Sequence, residues 1–278
     1  MNKSIKVEQL ENQIRERYDS LSKRLKQVAK YILDNPNSVV FDTVAVIAER
    51  AEVPPSTLIR FANVFDFSGF NEMKQVFKES LMESTADYKE RAELFHKMDA
   101  DHTEQNSPEN ILAVFSHANA TALTQLATNI DIKQLNDAVK LLDKANNIFI
   151  IGLKRSYSIA CYLNYALHHL NRRSYIIDGL GGMFEEQLNL IKPGDVVVAI
   201  SFAPYAKETL NILDSVAQAG VKQIAITDSQ LSPLVSFSDI AFVIKEAHIN
   251  GFRSQCSTMN LVQSLAISLA FQQEENLQ

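Results

Sequence analysis

Apolar residues recur along this chain in two rhythms. From the N-terminus to about residue 82 they return every three or four positions, the period of amphipathic helices. In LSKRLKQVAKYILDN, Leu25, Val28, Ala29, Ile32 and Leu33 form one stripe behind a cap from Ser20 or Ser22, and Pro36 stops the helix. In VAVIAERAEVPPSTLIRFAN, from Val44 to Asn63, two short helices are expected around a turn. Ile47 and Ala48 face inward, Ala48 being small where the helices cross. Ala51 and Val53 close the turn, and Leu58 and Phe61 anchor the second helix. Asp42 or Thr43 caps the first of these helices, and Pro54 and Pro55 suit the start of the second. Ser68-Gly69 breaks the chain before FNEMKQVFKESLM, another amphipathic helix. The stretch from about Glu83 to Ser107 is polar and aperiodic. A long helix then opens at Ser107-Pro108-Glu109, and a second follows in KQLNDAVKLLDKA.

The second rhythm begins at NNIFIIG. With SYIID, DVVVAIS, KQIAIT and IAFVI it gives five β-branched runs of the kind buried on both faces of a parallel sheet. Helical segments alternate with them: SIACYLNYALHHL, MFEEQLNLI, AKETLNILDSVAQAG and MNLVQSLAISLAF. The pattern predicts an all-α helix-turn-helix domain over residues 1–82, a linker over 83–107 and, over 108–278, a doubly wound five-stranded parallel α/β domain.

The helix-turn-helix reading leaves Pro55, Ser56, Thr57, Ile59, Arg60 and Asn63 on the outer face of the second helix. Short hydroxyl, amide and guanidinium groups there suit phosphates and base edges in a major groove. Glu52 stands where a turn glycine is common. On spacing alone an ordinary helical hairpin remains an alternative.

Charge changes this picture only slightly. The net charge of −6 argues against a general nucleic-acid coat. Residues 1–82 carry 12 Lys/Arg against 11 Asp/Glu, a balance of +1, whereas the remainder carries 15 against 22, or −7. Local cations are Lys23, Arg24, Lys26 and Lys30 in one helix, then Arg60, Lys74 and Lys78. Arg60 is the candidate for base or phosphate contact, Ser56 and Thr57 for the DNA backbone, and Lys74 for a phosphate clamp. One such domain would hold duplex DNA weakly, so a homodimer or higher oligomer is expected.

The two cysteines, Cys161 and Cys256, stand in apolar helical patterns away from any Cys/His cluster. A zinc site or disulfide framework is therefore not expected. No metal spacing appears around His96, His102, His117 or His248, and no cofactor is implied. A signal peptide is not indicated and no apolar run reaches membrane length, so a cytoplasmic protein without a membrane partner is expected.

In an open parallel sheet, ligands lie beyond the carboxyl ends of the strands. Three loops leave those ends with chemistry. Gly152-Leu153-Lys154-Arg155-Ser156 offers a tight turn, two cations and a hydroxyl at a helix N-terminus. Ser201-Phe202-Ala203-Pro204-Tyr205 leads into a helix bearing Thr209, and Thr227-Asp228-Ser229 follows the fourth strand. Together they describe a pocket for a polyhydroxylated, phosphorylated small molecule. Singly, each hydroxyl could be no more than a helix cap. His168 and His169 diverge by about 100° on their helix, so one packs or meets water while the other could reach a ligand. Lys245 and Glu246 lie within reach of the same edge.

These motifs carry a resemblance. Ser56-Thr57-Leu58-Ile59-Arg60-Phe61, followed by Gly69-Phe70-Asn71-Glu72-Met73-Lys74, resembles the S-T-x-x-R-F and G-F/Y-x-E-x-K runs of the RpiR family of bacterial transcriptional regulators. Residues 108–271 resemble a sugar isomerase (SIS) domain, a phosphosugar-binding module. Two loops depart from that module's pattern. Lys154 replaces the second glycine of G-x-G-x-S, and Ala203, Pro204 and Tyr205-Ala206 stand within the usual S-x-S-G-x-T. The loop SFAPYAKET and the stretch AERAEVPPSTLIRFA look closest to repressors of sialic acid catabolism, which are similar to proteins that sense N-acetylmannosamine 6-phosphate.

The resemblance implies a repressor that binds operator DNA as a homodimer and responds to a phosphorylated amino sugar. Its effector-site candidates are Gly152, Ser156, His168, His169, Ser201, Tyr205, Thr209, Thr227 and Lys245. A pocket shared between subunits would bring a histidine from the partner. The rival reading is a phosphosugar isomerase with an appended helical domain, for which Glu208, His168 and His169 are the available bases. That reading leaves the helix-turn-helix without a purpose, so no catalytic residue is assigned.

Overall fold

The computed structural model describes residues 7–84, 89–90, 92–93, 107–249 and 252–275. The chain divides into two compact units, a helical one ending at Ser107 and an α/β one beginning at Pro108. His96, His102 and most of the linker expected over 83–107 lie outside the described residues.

The helical unit contains α1 (Val7–Arg17), α2 (Lys23–Asp34), α3 (Pro36–Phe41), α4 (Val44–Arg50), α5 (Pro55–Val64) and α6 (Phe70–Ser84). The sequence pattern missed α1 and α3. Pro36 does end α2, but it also occupies the first position of α3, where its missing N–H costs nothing. Thr43, rather than Asp42, caps α4, its hydroxyl accepting from Val46 N at 3.3 Å. Asp42 instead ties helices together. Its carboxylate accepts from Tyr31 Oη at 3.1 Å and Arg50 Nη1 at 2.6 Å. Its carbonyl accepts from Lys74 Nζ at 2.5 Å. Leu10, Ile14, Ile32, Ile47, Leu58, Phe61 and Met73 are fully enclosed in the shared core.

The α/β unit opens with α7 (Pro108–Asn129) and α8 (Ile132–Lys144), the latter capped by Asp131. The alternation then runs β1 (Ile148–Ile151), α9 (Tyr157–His169), β2 (Ser174–Ile176), α10 (Phe184–Leu188), β3 (Val196–Ile200), α11 (Lys207–Gln218), β4 (Lys222–Thr227), α12 (Pro233–Phe237) and β5 (Ile240–Val243). A short hairpin of β6 (His248–Ile249) and β7 (Phe252–Arg253) precedes α13 (Cys256–Glu275). The five main strands are parallel in the order β2-β1-β3-β4-β5.

Residues of β1 alternate between two cores. Ile148 and Ile150 pack with α8, α9 and α13 on one face, and Phe149 and Ile151 pack with α11 and α12 on the other. The connection leaving β1 therefore covers one face, and the connection leaving β3 covers the opposite face. The loops of these neighbouring strands part at their carboxyl ends, which makes the switch point between residues 152–156 and 201–206 the candidate ligand crevice.

Two residues sit in the left-handed backbone region where the RpiR and SIS patterns favour glycine. Glu52, in the turn between α4 and α5, has φ 55°, and Lys154, in the first crevice loop, has φ 54°. The backbone keeps the glycine conformation although both residues carry a Cβ, a strain of about 1–2 kcal/mol each. Glu52→Gly is expected to raise stability by up to about 1 kcal/mol, and Glu52→Val, β-branched, to lower it by more than about 1 kcal/mol. Urea denaturation followed by circular dichroism checks this; equal stability of the two variants would contradict the strain.

Candidate DNA-reading face and effector crevice

Helix α5 presents two distinct faces. Leu58, Phe61 and Ala62 are buried, while Pro55, Ser56, Ile59, Arg60 and Asn63 are exposed and share the outward side. Arg17 secures the helix end, donating to Val64 O at 3.0 Å with its guanidinium 5.7 Å from the Phe65 ring centroid. Thr57 departs from the outer-face assignment. It is buried beside Leu58 because the inner stripe is two residues wide near the first turn, and its N–H donates to Pro54 O at 2.8 Å. Lys74 is also not an open clamp. Its half-buried ammonium is engaged by the Asp42 carbonyl, and burial, then the nearby Lys78 charge, hold its pKa below the ordinary lysine value.

At the carboxyl edge of the sheet, Gly152 begins the first loop. A Cβ there would stand 2.8 Å from Ser156 O and 3.0 Å from Ala160 Cβ, so glycine lets the loop fold closely onto α9. Ser156 is buried at the foot of that helix. The Arg155 carbonyl accepts hydrogen bonds from Gln255 Nε2 and from Ser158 Oγ, and Ser158 also reaches Gln255 Oε1 at 2.8 Å. Loop and α13 start are thereby fastened together.

The second and third loops are fastened by Asp228. Its carboxylate accepts from Tyr205 Oη at 2.7 Å and from Ala203 N at 3.3 Å, while its carbonyl accepts from Lys245 Nζ at 2.8 Å. Burial, reinforced by that carboxylate, pushes the Tyr205 pKa up to about 12, so the phenol stays protonated as a donor to Asp228. Ser201 is almost enclosed at the end of β3, and its N–H continues the ladder to Ile226 O at 3.1 Å. Helix α11 starts after Ala206 with no side-chain cap, leaving its first-turn N–H groups facing the crevice.

Several effector candidates therefore stand differently from their sequence placement. Thr227 is fully buried, its hydroxyl 2.7 Å from Ser232 Oγ, so it fixes the start of α12. Thr209 is also fully buried, and its Oγ1 has no hydrogen-bond partner among the described residues. Tyr205 and Lys245 belong to the Asp228 network rather than standing free. His168 and His169 end α9, about 18 Å along the helix from its start at the crevice. His168 Nε2 lies 2.9 Å from Ser174 O at the opposite edge of the sheet, and His169 packs against Tyr165 at 4.4 Å between ring centroids. Both are thus removed from the crevice of their own chain, because α9 runs antiparallel to β1.

The structure also adds residues that spacing had not singled out. The loop after β2, Asp178-Gly179-Leu180-Gly181-Gly182-Met183, lies on the same edge with positive φ at all three glycines. Gln187 holds it through Asp178, whose carboxyl is thereby kept below the usual carboxylate range. The hairpin brings Arg253 over the Phe202 ring at 4.0 Å. His248, although exposed as a residue, is crowded. Burial, then the Arg253 and Arg155 charges, lower its pKa, with Asp228 opposing. A glycine cluster ending a strand and an arginine preceding a helix were the available signals. Among the described residues no group of three His, Cys, Asp or Glu is placed to hold a metal ion.

Residues 8–84 match the helix-turn-helix domain of the rpiR family, and residues 141–272 match the SIS domain. The chain is 29% identical to an uncharacterized HTH-type transcriptional regulator of Haemophilus influenzae, covering 84% of this chain and 78% of that one. Its fold is similar to the Vibrio vulnificus NanR protein complexed with ManNAc-6P, with a TM-score of 0.56 and 22% identity over 96% of this chain and 93% of that one. It is also similar to the sugar isomerase domain of an RpiR transcription factor from Sphaerobacter thermophilus. There the TM-score is 0.57 at 22% identity, over 59% of this chain and 92% of that one. With its reading helix, its parallel sheet and these relatives in one order along the chain, the protein belongs to the RpiR family of helix-turn-helix regulators carrying a SIS domain.

Proposed function

We propose that this protein is a repressor of sugar catabolism whose hold on operator DNA is set by a phosphorylated sugar, with N-acetylmannosamine 6-phosphate as the effector. The observation that carries the reading is the pairing in one chain of an exposed Ser56-Ile59-Arg60-Asn63 face with a crevice at an uncapped helix N-terminus. Such a crevice favours an anion, and Ser156 and Ser201 line its strand ends. The choice of amino sugar rests on the SFAPYAKET loop and on the ligand carried by the NanR neighbour. The isomerase alternative is disfavoured by its own bases. His168 and His169 sit at the far edge, and Glu208 is solvated in the first turn of α11. On this reading the protein works in the cytoplasm, where the DNA is.

The homodimer in this reading is supported by a feature of α7 and α13, which pack against each other. From Asn110 to Asn129 no Asp, Glu, Lys or Arg occurs, and the same holds from Cys256 to Gln273. Ile111, Leu112, Val114, Ile267 and Phe271 are nevertheless exposed, Leu112 at 68% and Phe271 at 64%. An uncharged apolar face can meet its own copy across a twofold axis without like-charge repulsion, so a second copy of this chain is the occupant it suits.

Two experiments test the reading. A thermal-shift panel of N-acetylmannosamine, N-acetylglucosamine, glucosamine and N-acetylmuramic acid 6-phosphates, beside their unphosphorylated forms, is expected to show a rise with N-acetylmannosamine 6-phosphate alone. About 2.7 kcal/mol is available at a hundred times the dissociation constant. No rise with any phosphate would sink the sensor reading. In DNA-binding assays with duplexes selected by the wild-type protein, Arg60→Ala is expected to cost about 1–3 kcal/mol while remaining dimeric in sedimentation. Leu112→Asp is expected to yield monomers and lose tight binding. Wild-type affinity in the first variant would overturn the docking face, and a dimeric Leu112→Asp would overturn the interface.

A further inference from the structure

Most hydroxyls that could cradle a phosphate at this crevice are already committed. Tyr205 Oη is bonded to Asp228, Thr227 to Ser232, and Thr209 is enclosed in the core; Ala203 offers a methyl group. Cations have gathered instead. The first loop supplies Arg155, whose Nη1 is buried without a hydrogen-bond partner among the described residues. Gln255, donating to the Arg155 carbonyl, is two residues from Arg253, and Arg253 lies 4.0 Å over the Phe202 ring in the second loop. The segment Arg253–Gln255 thus touches the first loop at one end and the second loop at the other. His248 at the same hairpin has its pKa lowered first by burial and then by the Arg253 and Arg155 charges.

A buried guanidinium N–H with no acceptor is costly unless an acceptor arrives. Guanidinium forks match phosphate oxygens in both geometry and charge. We propose that Arg155, aided by Arg253 from the hairpin, holds the phosphate of the effector and that the loop hydroxyls are secondary. The proposal rests on the sugar-phosphate reading above and deepens it, naming the side chains that discriminate a phosphorylated from an unphosphorylated sugar. Arg253 also keeps Phe202 in place, so stacking and anion binding are joined at one residue. Arg155 carries the cleaner test.

Isothermal titration of the full chain with N-acetylmannosamine 6-phosphate and, separately, with inorganic phosphate compares the wild type with Arg155→Ala, Arg155→Gln and Arg155→Lys. Both neutral variants are expected to bind each probe about ten- to a hundredfold more weakly, with the lysine variant between them and the wild type. Unliganded melting midpoints equal to the wild type's show that the loss is not one of folding; Arg155→Gln, closest in length, serves if the alanine variant melts early. Undiminished affinity in the neutral variants overturns the arginine assignment and leaves the sensor reading standing. A wild type that binds neither probe overturns both.

Discussion

The candidate effector edge exists because a parallel sheet has only one carboxyl edge and right-handed crossovers must choose a face. With β1 and β3 adjacent, the chain leaving β1 packs α9 on one side and the chain leaving β3 packs α11 on the other. Their loops leave toward opposite faces, so the switch point between them is where an open α/β sheet takes its ligand. Every other feature of the site is built on that switch point. Asp228, one strand further along, clamps the second loop to the third. Glu246 caps α13 through Ser257 N and Thr258 N at 3.0 and 2.7 Å. The edge is thereby rigid on one flank and cationic on the other.

Loop chemistry in this chain is held by backbone geometry more firmly than by residue identity. Lys154 and Glu52 both keep left-handed conformations at positions where glycine is the easier choice. At Lys154 the strain comes with a cation at the crevice mouth. At Glu52 it comes with a tight turn whose Val53 N–H closes onto Ala48 O at 2.9 Å, presenting α5 outward. The reading helix and the crevice thus use the same device, a turn enforced by packing on both sides.

The strands were legible in the sequence because residues buried on both faces of a parallel sheet leave unbroken β-branched runs. The helix-turn-helix was legible because Ile47, Ala48, Leu58 and Phe61 obey one helical phase. Individual site residues were less so. Thr57 and Arg60 both looked outward on a simple helical wheel, yet the buried stripe of α5 widens near its first turn and takes Thr57 in. Lys74 looked like a surface cation until Asp42, thirty-two positions away in sequence, offered it a carbonyl. Thr209 and Thr227 sit at the right loops, but burial depth depends on α11 and α12 packing, which spacing does not encode. His168 and His169 follow the first loop in sequence but are carried across the domain by α9. Arg253 was invisible because only the fold brings the hairpin back over Phe202.

The central claim is that an anion bound at the sheet edge changes how the protein holds DNA. The most direct measurement is fluorescence anisotropy of a labelled duplex, selected by the wild-type protein, at increasing N-acetylmannosamine 6-phosphate. Unphosphorylated N-acetylmannosamine serves as the control. A saturable change in DNA affinity of about 5- to 150-fold with the phosphate alone is the expected result. Unchanged DNA affinity at a concentration where titration shows the crevice filled would contradict the account.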